Sequence, residues 1–377
     1  MSQRSSSSAP LAHDADPSGT GPTPGPAPPP VPGAGAASAS GSHLQGQIKA
    51  LAFDVFGTVV DWRTTVTETL QSYAEAKLSS LSSSSHASQS QNHQAYLARL
   101  RTLTTKDWSL FAQQWRDSYK VFTRSFRPGK DAWKDVDAHH RDSLCTLLTQ
   151  WRLGEADGNV YVYAADEIDH LSRVWHRLRP WPDSAAGLHA LVTGGYTVST
   201  LSNGNRELLR DLNAQGGEDG LGFQRLISAE DFGAYKPNPR VYRGACEMLL
   251  GGNAGGGGGG RRGRSKETSE RKEEDGGLGL SLGPRTETAT APGMEMTGTG
   301  TDPETSSDTG QVAMVAAHLG DLAAARACGM RTVYVERERE EDWGPGEDRW
   351  AEARSWVDMW VGIGEGGIQE VARRLGC

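Results

Sequence analysis

The chain is poor in the features that would place it outside the globular intracellular class. No stretch reaches the ~18 consecutive apolar residues that a membrane-spanning helix needs, and hydrophobic residues are only 36% of the 377. The first residues lack the apolar core of a secretory signal. Arg4 and the serines are compatible with a transit peptide, but Asp14, Asp16 and the prolines oppose an amphipathic helix there. Cysteine is scarce: Cys145, Cys246, Cys328 and Cys377 lie far apart, with neither CxxC nor Cys/His ligand spacing. That argues against a disulfide framework and a zinc site. It suits free thiols in a reducing compartment, and a cytoplasmic location is expected. Charge of one sign is not in large excess: 39 Lys and Arg stand against 47 Asp and Glu, a net charge of −8. No nucleic-acid partner and no membrane association are expected.

Glycine (47) and proline (18) are plentiful, and much of that content sits in biased segments. Residues 1–45 are Ser, Pro, Gly and Ala with almost no large apolar side chain, so they should form a disordered tail. Residues 251–310 hold a polyglycine run, a basic then acidic patch and a Thr-rich stretch, read as a disordered insertion. Within it Arg261, Arg262 and Arg264 could meet an acidic partner or simply be a solvated linker. What remains is a core at 46–60 and 181–377 and a smaller helical domain at 61–180. The latter carries apolar residues at helical spacing in Thr65–Leu78, Ala95–Leu103, Trp108–Phe122, Ala138–Trp151 and Ala165–Leu178, with a serine-rich loop at Ser79–Gln91. Pro180 and Pro182 mark the return to the core. From there helical and strand patterns alternate, with strands expected at Tyr196–Leu201, Leu226–Ser228, Val312–Ala316, Thr332–Val335 and Trp356–Val361. The fold class is therefore α/β, a Rossmann-like parallel sheet with a helical insertion after its first strand.

That first strand, Gln47–Phe53, ends in Asp54-Val55-Phe56-Gly57-Thr58. A buried parallel strand delivers its last residues to the C-terminal edge of the sheet, so Asp54 is a candidate nucleophile, although an aspartate capping a turn gives the same pattern. Three later strand ends carry polar groups. Leu201-Ser202-Asn203 precedes a helix N-terminus, where such residues cradle an anion or merely cap. Lys236-Pro237-Asn238-Pro239 holds a lysine on a proline-bounded turn, from which its ammonium can keep a neighbouring carboxylate ionised. His318-Leu319-Gly320-Asp321 leads from a strand into a helix, with an N-cap aspartate beside a surface histidine as the plainer reading.

In this order the segments resemble the haloacid dehalogenase superfamily over roughly residues 46–377 outside the insertions. Within it the chain looks most like the type II 2-haloacid dehalogenases, because Asp61-Trp62-Arg63, Trp115-Arg116 and Tyr242 match that subgroup. The resemblance implies a hydrolase whose helical insertion is a cap over the site. Its substrate is a small 2-haloacid. Independently of the resemblance, exposed apolar residues of the helical domain could pair to give a homodimer. Asp54 attacks C2 to form an ester that water hydrolyses, while Thr58, Ser202 and Asn203 orient the nucleophile and the substrate carboxylate. Lys236 keeps Asp54 ionised, Asp321 positions the water, and Arg116 receives the halide. His318 stands where relatives carry Asn and can orient water, and Ala316 stands where they carry Ser. Neither a metal nor any other cofactor is implied. The phosphatases of the superfamily need a second Asp two residues after the nucleophile and a further acid in the last motif, and this chain has Phe56 and Ala316-Ala317 there. A magnesium-dependent phosphatase and a non-catalytic binding protein of the same fold are the alternatives.

Overall fold

The apolar run before Asp54 becomes the middle of a sheet. The structure, a computed structural model, describes residues 43–82, 91–155, 160–251 and 309–377. The expected tail up to residue 42, residues 83–90 of the serine-rich loop, and residues 252–308 with Arg261, Arg262 and Arg264 lie outside the described residues. Strand β1 (Ala50–Phe53) is buried at all four positions, as a strand covered on both faces must be. A two-residue strand β2 (Val60–Asp61) leads into five helices: α1 (Trp62–Ser82), α2 (Gln91–Leu100), α3 (Thr105–Ser125), α4 (Val136–Gln150) and α5 (Ala165–Ser172). A 3-10 turn at Arg173–Arg177 then reaches β3 (Arg179–Pro180), which pairs antiparallel with β2. The entry and exit of the helical insertion are thus tied to each other.

The second half reads α6 (Ser184–Thr193), β4 (Thr197–Ser202), α7 (Arg206–Asn213), β5 (Arg225–Ser228) and α8 (Pro239–Leu250). It continues with β6 (Val312–Ala316), α9 (Leu319–Ala327), β7 (Arg331–Val335), α10 (Asp348–Trp356), β8 (Met359–Val361) and α11 (Gly367–Arg374). The six main strands form one parallel sheet in the order β5-β4-β1-β6-β7-β8. Because β4 lies on one side of β1 and β6 on the other, the order reverses at β1. The C-terminal ends of these strands therefore frame a crevice.

Four details differ from the sequence reading. Leu44 is fully buried, so the packed chain begins inside the expected tail. Helix α1 runs through Ser82, and Ser79 and Ser80 return their hydroxyls to the carbonyls of Glu75 and Lys77 (2.8 Å each) instead of ending the helix. The helix expected over Ala165–Leu178 stops at Ser172 and tightens into the 3-10 turn. Helix α10 was not expected, because only Ala353 of its residues is buried and no apolar stripe marks it.

The 3-10 turn places His176 between the insertion and the core. Its Nδ1 lies 2.7 Å from Asp211 of α7 and its Nε2 2.9 Å from Asp137 of α4. Asp137 also accepts from Asn205 Nδ2 at 3.0 Å. Only the imidazolium donates to both carboxylates. Burial opposes that charge, but the two hydrogen bonds outweigh it and raise the pKa above the ordinary 6.5. The stabilisation is complete below the unfolded value and is lost as pH rises through the folded one. The urea midpoint should therefore decline above pH ~6.5, and His176→Asn should flatten this slope while losing about 2 kcal/mol in acid. An unchanged slope in the variant would rule out this link.

Candidate active site

Asp54 continues the register of β1, its N–H donating to the Val315 carbonyl at 2.9 Å. Its side chain faces a cavity of about 640 Å³ at the sheet's C-terminal edge, which Arg116, Tyr119, Asn203, Lys236, Tyr242, His318 and Asp321 also line. Lys236 Nζ sits between two carboxylates, 2.9 Å from Asp54 Oδ1 and 2.5 Å from Asp321 Oδ2. The other oxygen of Asp54, Oδ2, accepts from Thr58 Oγ1 at 3.0 Å and lies 3.1 Å from His318 Nδ1. Burial works against the Asp54 anion, yet the Lys236 ammonium and His318 overcome it and hold its pKa well below the carboxylate range. Lys236 shows the reverse balance: burial opposes its charge, and Asp321 and Asp54 push its pKa upward.

Local structure explains each placement. Gly57 takes a left-handed conformation (φ +84°) in the turn that follows Asp54-Val55-Phe56, which brings Thr58 back beneath Asp54. Thr58 Oγ1 also accepts the Ala317 N–H at 2.9 Å, tying this turn to the end of β6. Lys236 is held through its backbone: its N–H donates to Asn203 Oδ1 (2.7 Å) and its carbonyl accepts from Asn203 Nδ2 (3.3 Å). Asp321 receives Tyr242 O–H at 2.5 Å from α8. Arg116 falls on the buried face of α3, in the helical series Trp108, Phe111, Ala112, Trp115, Arg116, Tyr119. Its guanidinium lies 4.6 Å from the Tyr119 ring centre, 5.4 Å from Phe56 and 5.7 Å from Trp62, and among the described residues its Nε has no hydrogen-bond partner. At the cavity mouth, Lys120 and Arg124 of α3 pair with Asp342 in the loop after β7 (2.6 and 3.2 Å).

The structure thus gathers Asp54, Thr58, Arg116, Asn203, Lys236, Tyr242, His318 and Asp321 at one place. Ser202 differs. It is fully buried, its Oγ accepts the Gly204 N–H at 3.2 Å, and it shapes the turn below the cavity instead of meeting Asp54. Two residues that the sequence reading did not place in the site join the group. Tyr119 lies under the Arg116 guanidinium. Glu340, 5% exposed, accepts from Trp62 Nε1 at 2.9 Å and lies 3.6 Å from His318 Nε2. Helical periodicity through Arg116 would have found Tyr119, whereas nothing in the charged run Glu336–Asp342, where acids alternate with Arg337 and Arg339, distinguishes Glu340.

A cation already occupies the space between the two cavity aspartates, and phenyl and methyl groups stand at Phe56, Ala316 and Ala317. Among the described residues, no group of three or more His, Cys, Asp or Glu is arranged to hold a metal ion, and no helix is long and apolar enough to cross a membrane. All four cysteines are free thiols.

Comparison with known proteins agrees with this geometry. (S)-2-haloacid dehalogenase 1 of Pseudomonas sp. (strain CBS-3) is 38% identical over 84 residues, 22% of this chain and 37% of that protein. Haloacetate dehalogenase H-2 of Moraxella sp. (strain B) is 29% identical over 126 residues, 30% of this chain and 56% of that protein. The matched part thus spans little more than a third of the first relative. Among solved structures, a defluorinating L-2-haloacid dehalogenase aligns with a TM-score of 0.55 at 25% identity, covering 88% of this chain and 98% of that one. An L-2-haloacid dehalogenase aligns at 0.51 and 26%, covering 87% and 100%. A family model described as haloacid dehalogenase-like hydrolase matches residues 48–256, more than half of the chain, and with the sheet order and the Asp54–Lys236–Asp321 arrangement this makes the chain a member of that family.

Proposed function

We propose that the chain hydrolyses short 2-haloalkanoic acids to 2-hydroxy acids through an ester on Asp54. The observation that carries this is the Asp54 carboxylate, bound by Lys236 and His318, lining one cavity with the buried Arg116 guanidinium, which forms no ion pair among the described residues. Oδ1 of Asp54 has one donor where Oδ2 has two, so Oδ1 is the freer nucleophile. It attacks C2, the carbon–halogen bond breaks, and the halide departs towards Arg116, whose charge and unmet donor suit an anion. Asn203 and Lys236 keep the nucleophile oriented and charged. Asp321 positions the water that adds to the ester carbon. A halide leaves without a proton, which fits Phe56 standing where phosphoryl transfer needs an acid. The helical insertion acts as a cap that excludes water during displacement, moving about the β2–β3 pair. The free thiols support a cytoplasmic setting.

The test is a single turnover with enzyme in excess over L-2-chloropropionate, in oxygen-18 water containing EDTA. Chloride should be released despite the chelator, the lactate should be unlabelled, and the label should lie in the peptide containing Asp54. Label in first-turnover lactate would mean direct attack by water. Absence of chloride, together with magnesium-dependent release of phosphate from an ester, would establish the phosphatase instead.

A further inference from the structure

Resting on that reading, His318 and Glu340 have work that the displacement step does not use. Once Oδ1 carries the substrate, Oδ2 becomes the ester carbonyl oxygen, and hydrolysis places negative charge on it. The two groups already on Oδ2 are the Thr58 hydroxyl at 3.0 Å and His318 Nδ1 at 3.1 Å. A pair of donors fixed on the oxygen where charge develops is the geometry of an oxyanion hole. A neutral imidazole would be free to present either tautomer, whereas an imidazolium must donate from Nδ1.

We propose that Glu340 is a positioning residue that keeps His318 protonated through the ester stage, so that His318 Nδ1–H and Thr58 O–H together form the oxyanion hole for ester hydrolysis. Water adds to the Asp54 carboxyl carbon and the carbonyl electron pair moves to Oδ2. As the pair returns, the bond from that carbon to Oδ1 breaks. Oδ1 leaves with the hydroxy acid, one water proton goes to it, and the other reaches solvent.

The placement of Glu340 supports this role. Its Oε2 sits so close to the nucleophile turn that a Cβ on Gly57 would come within 2.1 Å of it. The loop that carries it is anchored by Arg337, which is bidentate to Asp183 (2.7 Å twice) and donates to the Thr58 carbonyl at 3.1 Å. The preceding residue, Arg339, is held at φ +65°, a conformation that non-glycine residues rarely adopt. Asp54 at the end of β1 and Glu340, Glu341 and Asp342 in the loop after β7 face or influence His318. Lys236 and Arg116 line the same cavity with opposite charge, and Arg63 Nη2 lies 3.7 Å from Glu340 Oε1. Burial opposes the imidazolium, and the contacts with Asp54 and Glu340 reverse this, pushing the pKa up to about 9. Esterification removes the Asp54 charge, and Glu340 is then the closest anion left on the ring.

Glu340→Gln separates the two chemical steps, because the amide oxygen can still accept from Trp62 Nε1. In rapid-quench experiments with L-2-chloropropionate, the variant should release one chloride per site at close to the wild-type rate. Ester hydrolysis should slow roughly 10²-fold at pH 8, with the Asp54 ester visible by intact mass. Acid should rescue it: near pH 5.5 the hydrolysis rates of variant and wild type should converge, while Glu340→Asp retains most of the rate at pH 8. Equal slowing of chloride release and hydrolysis, or a variant that becomes still slower in acid as loss of a general base would dictate, overturns the proposal. A wild-type chain that forms neither chloride nor ester overturns the dehalogenase reading, and this proposal with it. Proton NMR gives a readout without substrate. In Asp54→Asn, whose amide has the charge of the ester, His318 should titrate roughly one pH unit or more higher than in Asp54→Asn/Glu340→Gln, and coincident titrations also overturn the proposal.

Discussion

Asp54→Asn should lower halide release from any 2-haloacid to the uncatalysed background, a fall of about 10⁴-fold or more, with little effect on folding. The amide has the shape of the carboxylate and can still accept from Thr58 or Lys236, but it has no anionic oxygen to displace a halide. The two cations beside it do not become orphans: Lys236 keeps Asp321 at 2.5 Å and His318 keeps Glu340 at 3.6 Å. The usual loss of ~3–5 kcal/mol from breaking a buried pair should therefore shrink to about 1–2 kcal/mol. A halide electrode and a thermal melt check both parts. Halide release at more than a few per cent of the wild-type rate would show that another group, or water directly, performs the displacement. In the wild type the Asp54 charge is held well below the carboxylate range, so its contribution to stability is present above pH ~4 and is lost only as pH falls through the lowered value.

The site residues that were legible in the sequence are those that local rules place. Asp54 directly follows a strand whose apolar run is easily read, Lys236 lies beyond the short 3-10 turn after β5 and Asp321 in the first turn of α9 after β6, and a parallel sheet brings such connections to one edge whatever else the chain does. Arg116 was legible only through the resemblance, which the Trp115-Arg116 pair carries; α3 then puts it in line with Trp108, Phe111 and Trp115 on its buried face. Glu340 was not, because its place depends on a loop pinned by Arg337 to Asp183, contacts separated by more than a hundred residues. Ser202 misled for the converse reason. Alternation along β4 points it at the strand end, but the turn at Gly204 takes up its hydroxyl, which backbone geometry decides and side-chain order does not. The β2–β3 pair, only two residues on each side, is likewise too short for any period to announce it.

Arg116→Met should part activity from stability. The Arg116 side chain is 6% exposed, its Nε has no acceptor, and it forms no ion pair among the described residues; Glu340 feels its charge only at a distance. The rings of Tyr119, Phe56 and Trp62 return ~0.5–2 kcal/mol of cation–π attraction. Removing an ion from water still costs several kcal/mol after relaxation. Methionine keeps an unbranched apolar stem against the same rings and removes the charge. The melting temperature should therefore hold or rise, by an amount corresponding to ~0–3 kcal/mol. Halide release should meanwhile fall by roughly 10²–10³-fold, because the other cations lining the cavity, Lys120, Arg124, Lys236 and Arg349, are already paired with carboxylates and Arg116, among the described residues, is not. Arg116→Lys, which keeps the charge but not the planar fork, should lie between the two. A clearly lower melting temperature in Arg116→Met would make the guanidinium a structural pin between the helical insertion and the sheet. A higher one with activity gone would mean that the fold retains an uncompensated charge at the one point where the proposed reaction produces an anion.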